Sequence, residues 1–305
     1  MLLSNKIVDS ETRKLGFDLT GFAPAVKLVK ETNFLHQWLA KNYHAGMGYM
    51  SRNTEKREDV TQILPGAKSV ISLAYNYYTP IEHDNKPGKI SRYAWGTDYH
   101  NILWEKLALL EQALKNIDPG FECKSYVDTG PVMDKVWAVR SGLGWMGKHT
   151  NIINSKKGSW FFLATIITNR SFDYAEPAAD FCGSCTACIA ACPTNALTPY
   201  QLDSNKCISY LTIENKNEIP DKFGGKFDGW GFGCDICQDV CPWNNKFATA
   251  TEDTRFYPVE GTTIEHGEIE RMTGGEFNRK YKNSPIQRAR KKGILRNLEF
   301  LKRHP

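Results

Sequence analysis

The sequence predicts an α+β body, then a small domain built around metal clusters, then a short basic helical C-terminus. Three observations lead there. Over the first 170 of the 305 residues, helical and strand periodicities alternate. Eight of the nine cysteines lie between Cys182 and Cys241, in segments with little hydrophobic periodicity. The basic excess is local: residues 279–303 hold ten Lys or Arg against one Glu, whereas the whole chain carries only +5, so the remainder is mildly acidic. A composition of 41% apolar and 24% charged residues excludes a disordered or fibrous chain. No apolar run approaches the ~18 residues of a membrane-spanning helix, and the start, MLLSNKIVDSETRK, has no signal-peptide core. A soluble, cytoplasmic protein with no membrane partner is expected.

In the body, residues 9–15 read as part of a first helix ending at Gly16, and residues 17–23 as a short strand stopped by Pro24. Phe34, Leu35, Trp38 and Leu39 have helical spacing across residues 33–43. Residues 67–78, AKSVISLAYNYY, are β-branched and aromatic and read as a buried strand. A long amphipathic helix follows over residues 98–117, a strand over 121–127, a helix over 131–141 and a strand over 160–168. Pro131 would open that fourth helix, and Gly142 stands just past its end. Beyond the cysteine region, helical patterns occur at 265–271 and 285–301, and the glycine-rich piece 224–233 reads as a loop.

The cysteines are grouped for ligation. Cys182, Cys185, Cys188 and Cys192 form C-x2-C-x2-C-x3-C followed by Pro193, and Cys234, Cys237 and Cys241 form C-x2-C-x3-C followed by Pro242, with Cys207 between. The first run is the spacing of bacterial-type ferredoxins with two 4Fe-4S clusters, in which the cysteine before proline reaches across to the other cluster. That rule gives one cluster Cys182, Cys185, Cys188 and Cys241, and the other Cys192, Cys234, Cys237 and Cys207. Structural zinc is the alternative, since two C-x2-C pairs also make tetrahedral thiolate sites. A zinc ribbon has no use, however, for the third cysteine or the proline. A disulfide framework suits neither a reducing compartment nor a chain with this much core. Cys123, in a strand pattern, reads as a buried core residue.

Residues 126–151, YVDTGPVMDKVWAVRSGLGWMGKHTN, are the most informative stretch outside the cysteines. Gly142, Gly144 and Gly147 follow a helix in a loop where backbone bends sharply or lies close to something bulky. It is no phosphate loop, because Gly147-Lys148 is followed by His149, and no dinucleotide fingerprint, because that motif follows a strand.

YVDTGP, RSGLGWMGKHT, the C-x2-C-x2-C-x3-CP run and GFGCDICQDVCPWN, together with YHAGMGYM, LPGAKSVISLAYNYY and ISRYAWGTDYH, resemble the epoxyqueuosine reductase family. The resemblance spans residues 15–245 and continues weakly into SPIQRARKKGILRN. It implies a nitroreductase-like cobalamin-binding domain over residues 1–175, a ferredoxin-like two-cluster domain over 176–248 and a basic tRNA-contacting segment over 249–305. The implied reaction is reductive removal of the epoxide oxygen of epoxyqueuosine at the tRNA wobble position, with electrons from a low-potential donor. Cobalamin would be base-off: Asp98-Tyr99-His100 starts like the methyltransferase motif D-x-H-x-x-G, but position 103 is Leu, so His100 is not taken as a cobalt ligand. Members of the family commonly carry a further helical-repeat domain, so here the basic segment is expected to hold the anticodon arm.

By the same resemblance Asp128 is the proton donor, its pKa raised by burial beneath substrate and corrin against the pull of a helix opening at Pro131. His100 is a second proton-relay candidate. Arg57, Arg92, Tyr93, Asp128, Gly147, Lys148, Asn151, Ile152 and Ser209 are assigned to cofactor contact, and Lys280, Lys282, Arg288, Arg290, Lys291, Lys292 and Arg296 to a phosphate-gripping patch. Two other readings stand beside this one: an electron-transfer protein whose upstream domain only docks a partner, and a reductive dehalogenase, which shares the same pair of domains.

Overall fold

The computed structural model describes residues 3–84 and 86–305. Its body is organised by the strand Ser69–Asn76, every residue of which is buried. Alternation along the strand sends Ile71, Leu73 and Tyr75 to one face and Val70 and Ala74 to the other. On the first face they meet Val8 of the helix Asn5–Lys14 and Leu103, Leu107 and Leu110 of the helix Tyr99–Ile117. On the second they meet Trp137 and Ala138 of the helix Asp134–Arg140. The sheet order is Leu19–Pro24, Ser69–Asn76, Phe161–Thr168, Cys123–Tyr126, with every neighbouring pair antiparallel. This is the α+β body expected, and each side chain such as Leu73 that it buries contributes roughly 1.5–3 kcal/mol.

A second core draws on three parts of the chain. Ile90 and Trp95 come from the body, Ile208, Leu211 and Phe232 from the cysteine region, and Ile269, Phe277, Ile294 and Leu298 from the C-terminal segment. The C-terminal helix Arg290–Arg303 is therefore packed into the cluster region.

Four expectations change. The helix expected over 131–141 begins at Asp134, not Pro131. Asp128 adopts a left-handed backbone at φ 58°, and the carbonyl of buried Val132 accepts from Arg57 Nη1 at 3.3 Å, so residues 127–133 are committed to a loop. The glycine-rich piece contains the strand Trp230–Phe232, which runs parallel to Lys89–Ile90 because both aromatic rings enter the second core. Residues 285–301 are a 3-10 turn, Pro285–Arg288, and a separate helix, broken where Arg290 takes φ 59°; the break lets Ile286 and Ile294 reach one core. The helix Gly274–Lys280 went unread although Thr273 and Glu276 form a capping box, because two glycines at its start obscure the pattern.

Candidate cluster module and catalytic cleft

The cysteine region has short elements: helices Ala187–Ala190, Ile208–Ile213, Ile236–Asp239 and Pro242–Phe247, and strands of two or three residues. Cys207 and Cys241 each stand at the N-cap of a helix, where the backbone N–H groups of Ser209 and Tyr210, and of Trp243 and Asn244, lower the cost of a thiolate. The N–H of Ala196 donates to Cys192 Sγ at 3.3 Å, and that of Ile236 to Cys234. Such bonds favour the thiolate, whereas burial pushes the thiols of Cys188, Cys207, Cys234, Cys237 and Cys241 up. An array of this kind calls for a cationic partner.

The eight cysteines fall into two sets. Cys182, Cys185, Cys188 and Cys241 line one cavity of about 370 Å³ with Lys148, His149, Phe181 and Trp243. Cys192, Cys207, Cys234 and Cys237 lie within electrostatic reach of one another. Among the described residues no three His, Cys, Asp or Glu side chains converge tightly enough to hold one metal ion. Thiols that frame a volume, and do not converge on a point, suit a cubane better than tetrahedral zinc.

Asp128 stands beside an aromatic cluster of the body. Tyr99, first residue of the long helix, donates from Oη to Asp128 Oδ2 at 2.8 Å. The Tyr99 ring is stacked on Phe162 at 4.2 Å and on His100 at 4.1 Å, and Tyr93 meets it edge-on at 6.4 Å. Burial, with the Asp128 charge and hydrogen bond, pushes the Tyr99 hydroxyl far up, so it stays a donor. Asp128 itself is exposed. The burial expected of it is therefore not supplied by the protein, and the helix N-terminus expected close after it is displaced to Asp134.

Lys135 lies within electrostatic reach of Asp128 and of Cys207 and Cys237. Its side chain reaches water, yet enclosure lowers its pKa, while Asp128, Cys237, Cys207 and Asp134 hold the charge in place. Its Nζ donates to Thr150 O at 3.0 Å and Asn151 Oδ1 at 2.9 Å. One ammonium thus lies within electrostatic reach of both Asp128 and the second cysteine set. Asp134, whose Oδ1 accepts from Thr165 Oγ1 at 2.6 Å, is pushed up to about 7 by burial, with Asp128 adding to the effect. Tyr99, Lys135 and Asp134 were missed in the sequence; each is adjacent to a residue or motif that was read, but nothing local says which way its side chain turns.

The predicted contacts distribute unevenly. Asn151 reaches Lys135, and Tyr93 faces Tyr99 and Phe232. His100 is fixed by its Nδ1 against Asp98 at 2.8 Å, leaving Nε2 buried without a protein partner. Arg57 is buried, bonded to the carbonyls of Val132 and Tyr49, with Nε unpartnered. Arg92 pairs with Asp239 at 2.7 Å and Asp235 at 3.4 Å and lies over Trp95 and Trp160, which joins body to module. Gly147 turns a hairpin in which its N–H meets Asn151 O, and Ile152 is buried core. Ser209 stands two residues from Cys207 in the helix Ile208–Ile213. Lys148 turns towards the first cysteine set, donating to Gly183 O at 2.6 Å and Cys185 O at 2.9 Å. Cys123 is only partly buried, packed at the margin of the first core.

The basic patch is smaller than its sequence. Arg296 is buried and donates to the carbonyls of Leu211, Asn215 and Asn217, so it ties helices together and cannot meet phosphate. Lys280 is paired with Glu260 and Glu268, Arg288 with Glu214, and Lys291 with the carbonyls of Glu270 and Met272. Among the described residues Lys282, Arg290 and Lys292 are exposed with no carboxylate partner.

Residues 57–129 match the family profile described as epoxyqueuosine reductase QueG, DUF1730, and residues 181–244 match a 4Fe-4S double cluster binding domain. An epoxyqueuosine reductase from Leadbetterella byssophila is 45% identical over 298 residues, 98% of each chain. One from Synechocystis sp. is 44% identical over 87% of this chain and 93% of its own. The crystal structure of an epoxyqueuosine reductase with an epoxyqueuosine-modified tRNA-Tyr stem loop superposes with a TM-score of 0.90 at 32% identity, covering 98% of this chain and 80% of that one. The catabolic reductive dehalogenase NpRdhA, at 14% identity and a TM-score of 0.51 over 96% of this chain and 37% of its own, shares the fold. Matched nearly end to end by such relatives and carrying the cysteine spacing of two cubanes, the chain belongs to the epoxyqueuosine reductase family.

Proposed function

We propose that Asp128 is the proton donor for reductive removal of the epoxide oxygen, in a cleft supplied with electrons through the cubane of Cys192, Cys207, Cys234 and Cys237. The overall reaction, reduction of epoxyqueuosine to queuosine in tRNA, goes with family membership. Converting an epoxide to an alkene and water consumes two electrons and two protons, and the protons are needed as charge develops on oxygen. Asp128 gives the first; Tyr99, donating to its carboxylate, and Lys135, in electrostatic reach of it, stabilise the anion left behind. We assign the second proton to His100, whose Nε2 is unpartnered.

Cobalamin, when bound, supplies a strong one- and two-electron reductant for strained carbon–oxygen bonds. Tyr93, Tyr99, Lys135 and Asn151 would line its seat, and the buried unpartnered nitrogens of Arg57 and His100 suit a polar macrocycle with many amide groups. The other cubane would be held by Cys182, Cys185, Cys188 and Cys241. In a related structure, from Bacillus subtilis, a catalytic aspartate loop occurs swung out of the active site; the exposed, left-handed Asp128 fits a loop that closes only over substrate. Lys282, Arg290 and Lys292 would grip tRNA phosphates, with Arg288, within electrostatic reach of Tyr49 and Asp128, linking that patch to the cleft mouth.

The observation that carries this reading is the Tyr99–Asp128 hydrogen bond over a lysine that also faces the second cysteine set. Asp128→Asn is expected to keep both clusters and cobalamin, by iron and cobalt analysis and visible spectrum, and to lose turnover on epoxyqueuosine tRNA by at least a hundredfold. Full activity in that variant would remove the assignment.

A further inference from the structure

The two cysteine sets differ in what surrounds them. The set in reach of Lys135 contains no exposed cysteine. The other opens outward: Cys185 is exposed, as are the neighbouring Gly183, Ser184 and Thr186. Phe181, next to the first ligand, is 54% exposed, an unusual position for a large apolar ring. It is held there by edge contacts to Trp145 at 5.2 Å and a tilted contact to Trp243 at 6.0 Å, and Trp243 in turn stacks on Phe247. Exposed Lys246 lies over the Phe247 ring at 5.2 Å.

The charge around this opening has one sign. The cavity is lined by Lys148, His149 and Lys246 and by no carboxylate. Lys148 is spoken for by two carbonyls, whereas Lys246 is free to meet a partner. Exposed Asp180, close by, is a carboxylate beside the first ligand and is engaged there, accepting from the Cys182 N–H at 2.7 Å and from the Tyr200 hydroxyl. An aromatic, preordered rim with an exposed cation suits a negatively charged surface that must dock briefly and leave.

Resting on the reading that both clusters feed the cleft, we propose that the face formed by Phe181, Cys185, Trp243 and Lys246 docks an acidic, low-potential, one-electron carrier protein. The electron arrives at the cubane of Cys182, Cys185, Cys188 and Cys241, the outward of the two. Each docking oxidises one carrier by one electron; two dockings supply the two electrons that, with two protons, release the epoxide oxygen as water.

Stopped-flow reduction of the anaerobic holoenzyme tests this, with reduced plant-type ferredoxin as the acidic carrier and reduced methyl viologen as a small control reductant. Lys246→Glu is expected to lower the second-order rate constant with ferredoxin at least tenfold at low salt, the difference shrinking as salt is added. Reduction by methyl viologen, and turnover driven by it, should stay at the wild-type rate. Phe181→Ala should slow ferredoxin at every salt concentration while keeping full iron content; if it loses iron, Lys246→Glu decides alone. Equal ferredoxin rates for Lys246→Glu and wild type overturn the proposal. So does a wild-type dimer in sedimentation that Phe181→Ala dissociates, which would give the face to a second copy. A wild-type enzyme that methyl viologen reduces but cannot drive through turnover would instead sink the catalytic reading.

Discussion

The body and the cluster module are held together by different physics. The body has eight-residue strands and a 19-residue helix around a continuous apolar core. Between Phe181 and Asn244 no described helix exceeds six residues, and pieces so short do not hold themselves in water. In the module, cluster ligation adds to the share of the second core that Ile208, Leu211 and Phe232 contribute. The comparison teaches where each should fail: the body through lost packing, the module through lost iron.

The largest effect should come from a single ligand. Cys207→Ala is expected to drop iron from about eight to about four per chain and abolish turnover, while amides of Ser69–Asn76 keep their hydrogen-exchange protection. Body amides that exchange as fast as module amides in that variant would break the distinction. Cys241→Ala, if the sets are those proposed, should lose the same cluster signal as Cys185→Ala, read by electron paramagnetic resonance.

A smaller effect sharpens the boundary at the C-terminus. Arg296→Met leaves three carbonyls of the module without their donor and is expected to cost about 1.5–3 kcal/mol in denaturant unfolding, with the salt dependence of tRNA binding unchanged. Reversing Arg290 and Lys292 should do the opposite, leaving stability alone and reducing the salt slope by about one unit per lost phosphate contact. Equal salt slopes for wild type and the reversed pair would refute the patch.

A last effect lies within the body and shows only as a change of slope with pH. Asp134 has a folded pKa of about 7 against an ordinary 3.8. The folded state therefore holds this proton more tightly than the unfolded chain. Its contribution is complete below the unfolded value, declines as pH rises above it, and is lost as pH passes about 7. Asp134→Asn should flatten the fall in thermal midpoint across the upper part of that window; an unchanged slope would show that the carboxyl carries no such linkage.

Much of this was legible along the chain. The strand at 69–76 and the helix at 99–117 follow from apolar periodicity, and the two groups of four thiols follow from C-x2-C-x2-C-x3-C and the proline after it. The start of the helix at Asp134 was not legible, because the feature that holds back Pro131, a hydrogen bond from Arg57, comes from 75 residues away.

Spacing and periodicity are local, so the order of residues alone determined the class of fold and the number of thiols available to iron. Only the folded chain decided that Lys148 grips the carbonyls beside Cys185, that Arg296 is spent on Leu211 and Asn215, and that Tyr99 reaches Asp128. Each of these pairs a flexible polar side chain with a group 29 to 85 residues distant, and such a partner is chosen by whatever packing brings within hydrogen-bonding distance.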